Sequence, residues 1–388
     1  MTYSCRLIVC IALTCASLTA AQADVSVSVT YLKIEQEAPP VLSNLDPIPE
    51  DLGLAGAEVG LQDNATTGRF LGQSYELNVV TVPLGAAPAE AAQALEGDLI
   101  VLDGPMEAVA EIAALPDMSS KLLFNVAAED DALRADACQA NLLHTVPSYA
   151  MRADALMQFM VKRRWSDLVM IRGQHAKDQA FASALERAAT KFGLEIRDTK
   201  DWVFDADMRR NAAQEVPLFT QDFGDYDALL IADEIHDFGR YILYNTWEAR
   251  PVAGSEGLTP KTWDRVIEQW GAAQLQSRFE EAAGRDMLAQ DYAAWAALRA
   301  IGEAVTRTSA SDAPTLRAYL LGPDFELAGF KGRPLSFRGW NGQLRQPIAL
   351  TQPRALVANA PLEGFLHQST ELDTLGIDAP ESRCTAFQ

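Results

Sequence analysis

The chain has 388 residues, of which 48% are hydrophobic and 22% charged. This ordinary globular composition excludes a disordered chain and a polytopic membrane protein. Its 53 acidic residues outnumber 32 Lys and Arg, giving a net charge of −21. Binding phosphates needs a basic face, so nucleic acid is excluded as a partner and anionic lipid would repel the chain.

Residues 1–23 read as a cleavable secretory signal: Arg6 is the positive n-region, Leu7 to Ala20 is mostly apolar but too short to span a bilayer, and Ala21-Gln22-Ala23 is an A-x-A cleavage site. A periplasmic location is expected. Lipidation at Cys15 is the rival reading, and Ala12-Leu13-Thr14 before it fit a lipoprotein signal poorly. No later segment is long and apolar enough to cross a membrane. Cys5, Cys10 and Cys15 leave with the signal, so Cys138 and Cys384 remain. In an oxidising compartment they can form one bridge, closing a loop of about 245 residues that the chain-entropy model values at roughly 4–5 kcal/mol. Two unrelated free thiols are the alternative.

The remaining length exceeds what one core usually serves, and two lobes are expected. Val25 to Ile34 is β-rich, and Pro39 to Gly53, with four prolines, reads as a loop. A short helix is predicted over Gly56 to Asn64, and strands over Tyr75 to Val82, Asp98 to Leu102, Lys121 to Val126 and Leu142 to Val146, with a helix from Met106 to Leu115. A second set follows with the same rhythm: a helix over Tyr149 to Lys162 capped by Ser148, a strand over Asp167 to Arg172, a helix over Gln179 to Phe192 ended by Gly193, and strands over Glu195 to Phe204 and Tyr226 to Ala232. Strands spaced by such helices predict an α/β fold with two doubly wound lobes and parallel sheets. Helical stretches are then predicted over Thr262 to Gly271, Gln274 to Ala283, Gln290 to Thr306 and Ala313 to Leu321, before a β-like, turn-rich region over Phe325 to Val357 and a polar tail.

Catalytic signatures are missing: there is no G-x-S-x-G, P-loop, H-E-x-x-H, C-x-x-C or G-x-G-x-x-G. His144, His175, His236 and His367 share no helix face at metal spacing and read as surface or packed residues. Asp205 and Asp207 resemble the start of an EF-hand loop, but Arg209 stands where the third oxygen ligand belongs. The informative groups are acids at strand ends, where open α/β sheets bind ligands. They are Asp103, the run Glu129, Asp130 and Asp131, and the pair Asp233 and Glu234, with Asp237 one turn on. Helix capping is the favoured reading for Asp103 and Asp237 taken singly, while the run and the pair stand evenly between caps and ligand groups. Converging carboxylates repel, so they need a cation, a proton or a cationic ligand. Of the large aromatics Tyr149, Trp202, Tyr241, Tyr244, Trp247, Trp295 and Trp340, most should fill cores, and Tyr292 is the first choice for a ligand contact.

Several segments resemble the type I periplasmic binding proteins of the leucine/isoleucine/valine class. Gly56-Ala57-Glu58-Val59-Gly60-Leu61-Gln62-Asp63-Asn64 followed by Gly68-Arg69-Phe70 resembles that class's first helix. Asp291-Tyr292-Ala293-Ala294-Trp295 resembles its cleft-lining Tyr-x-Ala helix, and Phe330 to Phe337 its late hairpin. More specifically, FNVAAEDDALRADACQANLLHTVPS (124–148), EVPLFTQDFGDYDALLIADE (215–234), DYAAWAALRAIGEAVTRT (291–308) and LRAYLLGPDFELAGFKGRPLSFRGWNGQLRQPIAL (316–350) are similar to the ABC-transporter binding proteins that accompany pyrroloquinoline-quinone-dependent alcohol dehydrogenase systems.

The resemblance implies lobes joined by a three-crossing hinge, with 24–146 and 255–325 in lobe 1, and 147–254 and 326–388 in lobe 2. It implies no catalysis, and as partners the membrane and ATPase subunits of an ABC transporter beside a quinoprotein alcohol dehydrogenase. Cys138 lies in one of these segments. No cofactor is required. Relatives have been linked to lanthanide handling, and the acidic strand ends suggest a hard cation such as Ca²⁺ or a lanthanide, held by Asp130 and Glu234, as the leading ligand. An alcohol, an aldehyde or the quinone is the runner-up. The quinone's carboxylates would need Arg134, Arg152 or Arg172 in the cleft. A sensor that docks on the dehydrogenase is a further class. Ala127-Ala128-Glu129-Asp130-Asp131 stands where amino-acid binders of this class dock the ligand carboxylate, and one repulsive contact at roughly 4 Å would cost on the order of 4 kcal/mol. A free α-amino acid is therefore not expected.

Overall fold

The computed structural model describes residues 25–37, 47–203 and 211–387. The proposed signal, part of the proline-rich loop, Phe204 and the Asp205–Asp207–Arg209 stretch lie outside the described residues. The first lobe opens with β1 (Val25–Ile34), α1 (Leu54–Leu71), β2 (Gln73–Val82), α2 (Pro88–Gln93), β3 (Leu99–Asp103), α3 (Met106–Ala113), β4 (Leu122–Asn125) and β5 (Leu142–His144). Its five strands form one parallel sheet ordered β2-β1-β3-β4-β5. All residues of β3 and β4 are buried, which explains their unbroken apolar runs: helices cover both faces.

The second lobe repeats the plan with α4 (Tyr149–Arg163), β6 (Asp167–Arg172), α5 (Ala176–Lys191), β7 (Glu195–Asp201), α6 (Ala212–Thr220), β8 (Ala228–Ala232), α7 (Gly239–Ile242) and β9 (Val252–Gly254). These strands form a parallel sheet ordered β7-β6-β8-β9. The Ser148 hydroxyl accepts from the Met151 amide and caps α4, as its sequence position predicts.

After β10 (Thr259–Lys261) the chain returns to the first lobe with α8 (Ala272–Ala283), α9 (Ala289–Thr308) and α10 (Ala313–Leu320). Leu275, Phe279, Trp295 and Leu316 share one core with Val27, Val101 and Phe124. The helix predicted over Thr262 to Gly271 does not form. Trp263 turns inward and stacks on Tyr292 with ring centroids 4.8 Å apart, and Trp270 and Gly271 take positive φ angles of 56° and 82°. The helix predicted over Gly56 to Asn64 is longer, because α1 lies along α9. A Cβ on Gly56 would sit 1.9 Å from the Asp291 carbonyl oxygen, so only glycine permits this approach.

β11 (Leu327–Ala328), β12 (Pro334–Phe337) and β13 (Leu344–Arg345) form a small antiparallel sheet. Leu335, Phe337 and Leu344 pack in the first core, so this segment adds to the first lobe rather than the second. β14 (Ile348–Gln352) then pairs antiparallel with β10 and with β15 (Ala355–Ala360), while Ile348, Leu350 and Ala360 join the second core.

The chain therefore crosses between lobes near 145–148, 259–263 and 345–348. Gln346 ties the three crossings together: its Nε2 donates to the Thr145 carbonyl at 2.8 Å, and its Oε1 accepts from the Thr262 hydroxyl and the Lys331 ammonium. Lys331 also donates to Thr262 Oγ1 at 2.7 Å and the Pro347 carbonyl at 3.1 Å, and lies 4.5 Å from the Tyr292 ring centroid. These partners are uncharged, and burial pushes the lysine pKa well below its ordinary value.

Candidate functional site

In each lobe the parallel sheet brings the C-terminal ends of its central strands towards the other lobe. Glu129 follows β4 in the first lobe, Glu234 follows β8 in the second, and both reach Arg152 on the first turn of α4, just past the first crossing. Arg152 Nη1 donates to Glu129 Oε2 and, at 2.6 Å, to Glu234 Oε2. Its Nη2 donates to Glu234 Oε1 at 3.0 Å and its Nε to the Pro260 carbonyl at 3.2 Å. The guanidinium carbon lies 4.6 Å from the Phe181 ring centroid and 5.7 Å from that of Tyr149. Side-chain exposures of 12% for Arg152, 20% for Glu129 and 10% for Glu234 show that the cluster is largely desolvated.

Two carboxylates on one guanidinium leave the cluster one negative charge in excess when both are ionised. Burial opposes the charge on Glu234, yet the fork from Arg152 and the Ser255 hydroxyl at 2.8 Å outweigh it and hold its pKa below the ordinary value. Glu129 receives only one arm of the fork. Burial, with Glu234 alongside, raises its pKa despite Arg152. Glu129 is thus the group that takes a proton first.

The other predicted site residues serve the fold. Asp131 Oδ1 accepts from the Ala150 amide at the start of α4, and its Oδ2 pairs with Arg187 on α5, so it also links the lobes. Asp130 contributes its carbonyl to Arg134 at 3.0 Å, and its carboxyl is raised by burial. Asp233 is fully buried and accepts from the amides of Asp237, Phe238 and Gly239. That is the helix-capping role weighed against ligand binding. Asp103 accepts from Tyr31 at 2.8 Å and Gln290 at 2.6 Å within the first lobe, and burial pushes its pKa to about 6. Tyr292 has no exposed surface, lies between Trp263 and Trp295, and spends its hydroxyl on the Gly329 carbonyl at 2.7 Å. It is a core residue rather than a ligand contact.

Among the described residues no group of three or more His, Cys, Asp or Glu side chains is disposed to hold a metal ion. Asp130 and Glu234 answer to different cations: Asp130 sits beside Arg134, and Glu234 is forked to Arg152. The cation between the acidic strand ends is Arg152 itself. Of the other two arginines, Arg134 is buried among carbonyls of residues 128, 130 and 146 and the Gln343 amide, while Arg172 pairs with Asp201 within the second lobe. Of the aromatics, Tyr149 flanks the cluster, Trp202 stacks on Phe238 in a separate apolar cluster of the second lobe with Val169 and Ile231, and Tyr244 and Trp247 are exposed. An open recess of about 540 Å³, lined by residues including Asp51, Glu58, Gln62 and Arg278, lies against α1 and α8 of the first lobe, away from the cluster.

Sequence reasoning missed Ser255, Phe181 and the hinge group of Gln346, Thr262 and Lys331. No local pattern marks them: Lys331 lies in a glycine-rich turn two residues from Arg333, where a solvated cation is the ordinary reading.

No protein-family profile and no curated protein matches the chain. Solved structures do match. A branched-chain amino acid ABC transporter periplasmic ligand-binding protein from Burkholderia xenovorans LB400 is 15% identical, with 93% of this chain and 100% of that one covered and a TM-score of 0.69. A periplasmic binding protein from Burkholderia mallei is 14% identical, with 94% and 100% covered and a TM-score of 0.66. A solute-binding protein of an ABC transporter from R. palustris, in complex with benzoate, is 14% identical, with 93% and 99% covered and a TM-score of 0.63.

The fold is that of the type I periplasmic binding proteins. In that fold the Glu129–Arg152–Glu234 cluster occupies the meeting point of the two lobes, at the carboxyl ends of both sheets.

Proposed function

We propose that the chain is the periplasmic solute-binding component of an ABC transporter, exported through its N-terminal signal and serving a quinoprotein alcohol-oxidation system. The observation that carries the reading is the convergence of Glu129 from one lobe and Glu234 from the other on a single point beside Tyr149 and Phe181. Likeness to solute-binding structures, together with the sequence resemblance given above, supports the transport role. The solute we favour is a small organic molecule that exchanges partners with Arg152: a polar or cationic group for the glutamates, and an alcohol- or aldehyde-sized apolar part for the two rings. A metal ion would first have to displace Arg152 from between them.

Native mass spectrometry with elemental analysis of protein taken from the periplasm tests this reading. An organic mass that is lost in Arg152→Met supports it. A stoichiometric Ca²⁺ or lanthanide, with a rise in melting temperature on La³⁺ titration that Glu234→Gln abolishes, replaces the organic solute by a metal. A second reading, a non-transporting partner of the dehydrogenase, is favoured by one observation: the cleft is already bridged by the chain's own side chains. Retrieval of the dehydrogenase by ligand-free protein, with no co-purifying solute, would select it.

A further inference from the structure

The three crossings are not the only links between the lobes. The chain leaves β15 in the second lobe at Ala360, and Cys384 is bonded to Cys138 in the first. The segment between them is a fourth covalent path. Its middle is gripped from both sides. Asp373, 1% exposed, accepts from Arg338 Nε at 2.9 Å and Arg345 Nε at 2.8 Å, both on the β12–β13 side of the first lobe. Three positions on, the Gly376 amide donates to Asp154 on α4 at 2.7 Å, and its carbonyl accepts from Lys191 on α5 at 3.0 Å, both in the second lobe. Leu375, between the two grips, packs in the second core.

We infer that residues 361–387 form a strap that limits how far the lobes can open, and that the Cys138–Cys384 bond closes it. Three residues span at most about 10 Å when fully extended. Lobe surfaces held at Asp373 and at Gly376 therefore cannot separate further unless one grip is peeled away. Peeling leaves Arg338 or Asp154 buried without its partner, which the interior opposes. Without the disulfide, the tail can release from the first lobe and follow the second. With it, the far end stays fixed to the first lobe and the grip re-forms. The strap acts whether or not a solute is bound, so it stands independently of the transport reading.

The test is single-molecule energy transfer between dyes carried on ketone side chains at positions 107 and 177, exposed sites at the starts of α3 and α5. It is run on wild type and on Glu129→Gln, which loosens the cleft contact, before and after phosphine reduction, and on the Cys138→Ser, Cys384→Ser double variant. The strap predicts that reduction broadens the distance distribution and moves it to longer values, most clearly in Glu129→Gln, and that the double variant reproduces this without reductant. Near-ultraviolet circular dichroism is read in parallel. Unchanged distributions with native dichroism overturn the proposal. So does collapse of the dichroism on reduction, because the bond would then be a global staple rather than a limit on opening.

Discussion

Replacing Arg152 by Met keeps the stem of the side chain and removes the charge on which both lobes converge. The two glutamates then keep their desolvation but lose their cation, with side-chain exposures of only 20% and 10%. Breaking a buried pair by deleting one partner costs about 3–5 kcal/mol, because the abandoned charge stays buried. Here two carboxylates are abandoned, so the upper half of that range is expected. Glu129→Gln should behave differently. Burial already raises the Glu129 pKa, so its ionised form contributes little net stability, and the amide should cost within about 1 kcal/mol or stabilise slightly above neutral pH. The double variant should then recover part of the Arg152→Met loss, with a coupling of roughly 1–3 kcal/mol. Urea denaturation of the four proteins at pH 8, followed by circular dichroism, gives the cycle. If Arg152→Met and the double variant prove equally unstable, the glutamates are not desolvated charges sharing one cation, and the reasoning fails.

Two further changes probe the scaffold behind the cleft. The Asp103 carboxyl, pushed up to about 6 chiefly by burial, is protonated in the fold below that pH and in the unfolded chain only below about 3.9. Its favourable contribution is complete below the unfolded value and is lost as pH rises through about 6. Asp103→Asn should therefore gain on wild type by roughly 2 kcal/mol between pH 4 and pH 8 in unfolding free energy, and a flat difference would contradict the burial argument. Gly56→Ala places its Cβ against the Asp291 carbonyl oxygen, which belongs to the rigid start of α9 and cannot turn aside. A loss of about 1–3 kcal/mol or more is expected from the urea midpoint, and an unchanged midpoint would mean that α1 and α9 can slide apart.

The alternation of buried strands with amphipathic helices was legible in the chain because each signal is local. An unbroken run such as Leu99–Asp103 needs both faces covered, and Ser148 marks the start of α4 by its own hydroxyl. The cysteine pairing was legible as a possibility because only Cys138 and Cys384 follow residue 23, and the structure joins them. The acids at strand ends were also visible, but their partners were not. Asp233 serves three amides of the next turn, whereas Glu234, one residue on, reaches an arginine 82 positions away. Adjacent carboxylates thus part into cap and cleft according to which way the chain turns after β8. Helical periodicity failed over Thr262 to Gly271 because Trp263 gains more by stacking on Tyr292 than the segment gains from local hydrogen bonds.

The sequence by itself determined two parallel α/β halves and an acidic set at the ends of the strands, since each follows from neighbours along the chain. The tertiary structure alone decided that the cation answering those acids is Arg152, that Gln346 gathers the three crossings, and that the tail is gripped by both lobes. Those contacts join segments up to more than two hundred residues apart, and their free energy comes from burial and charge pairing that no local pattern encodes.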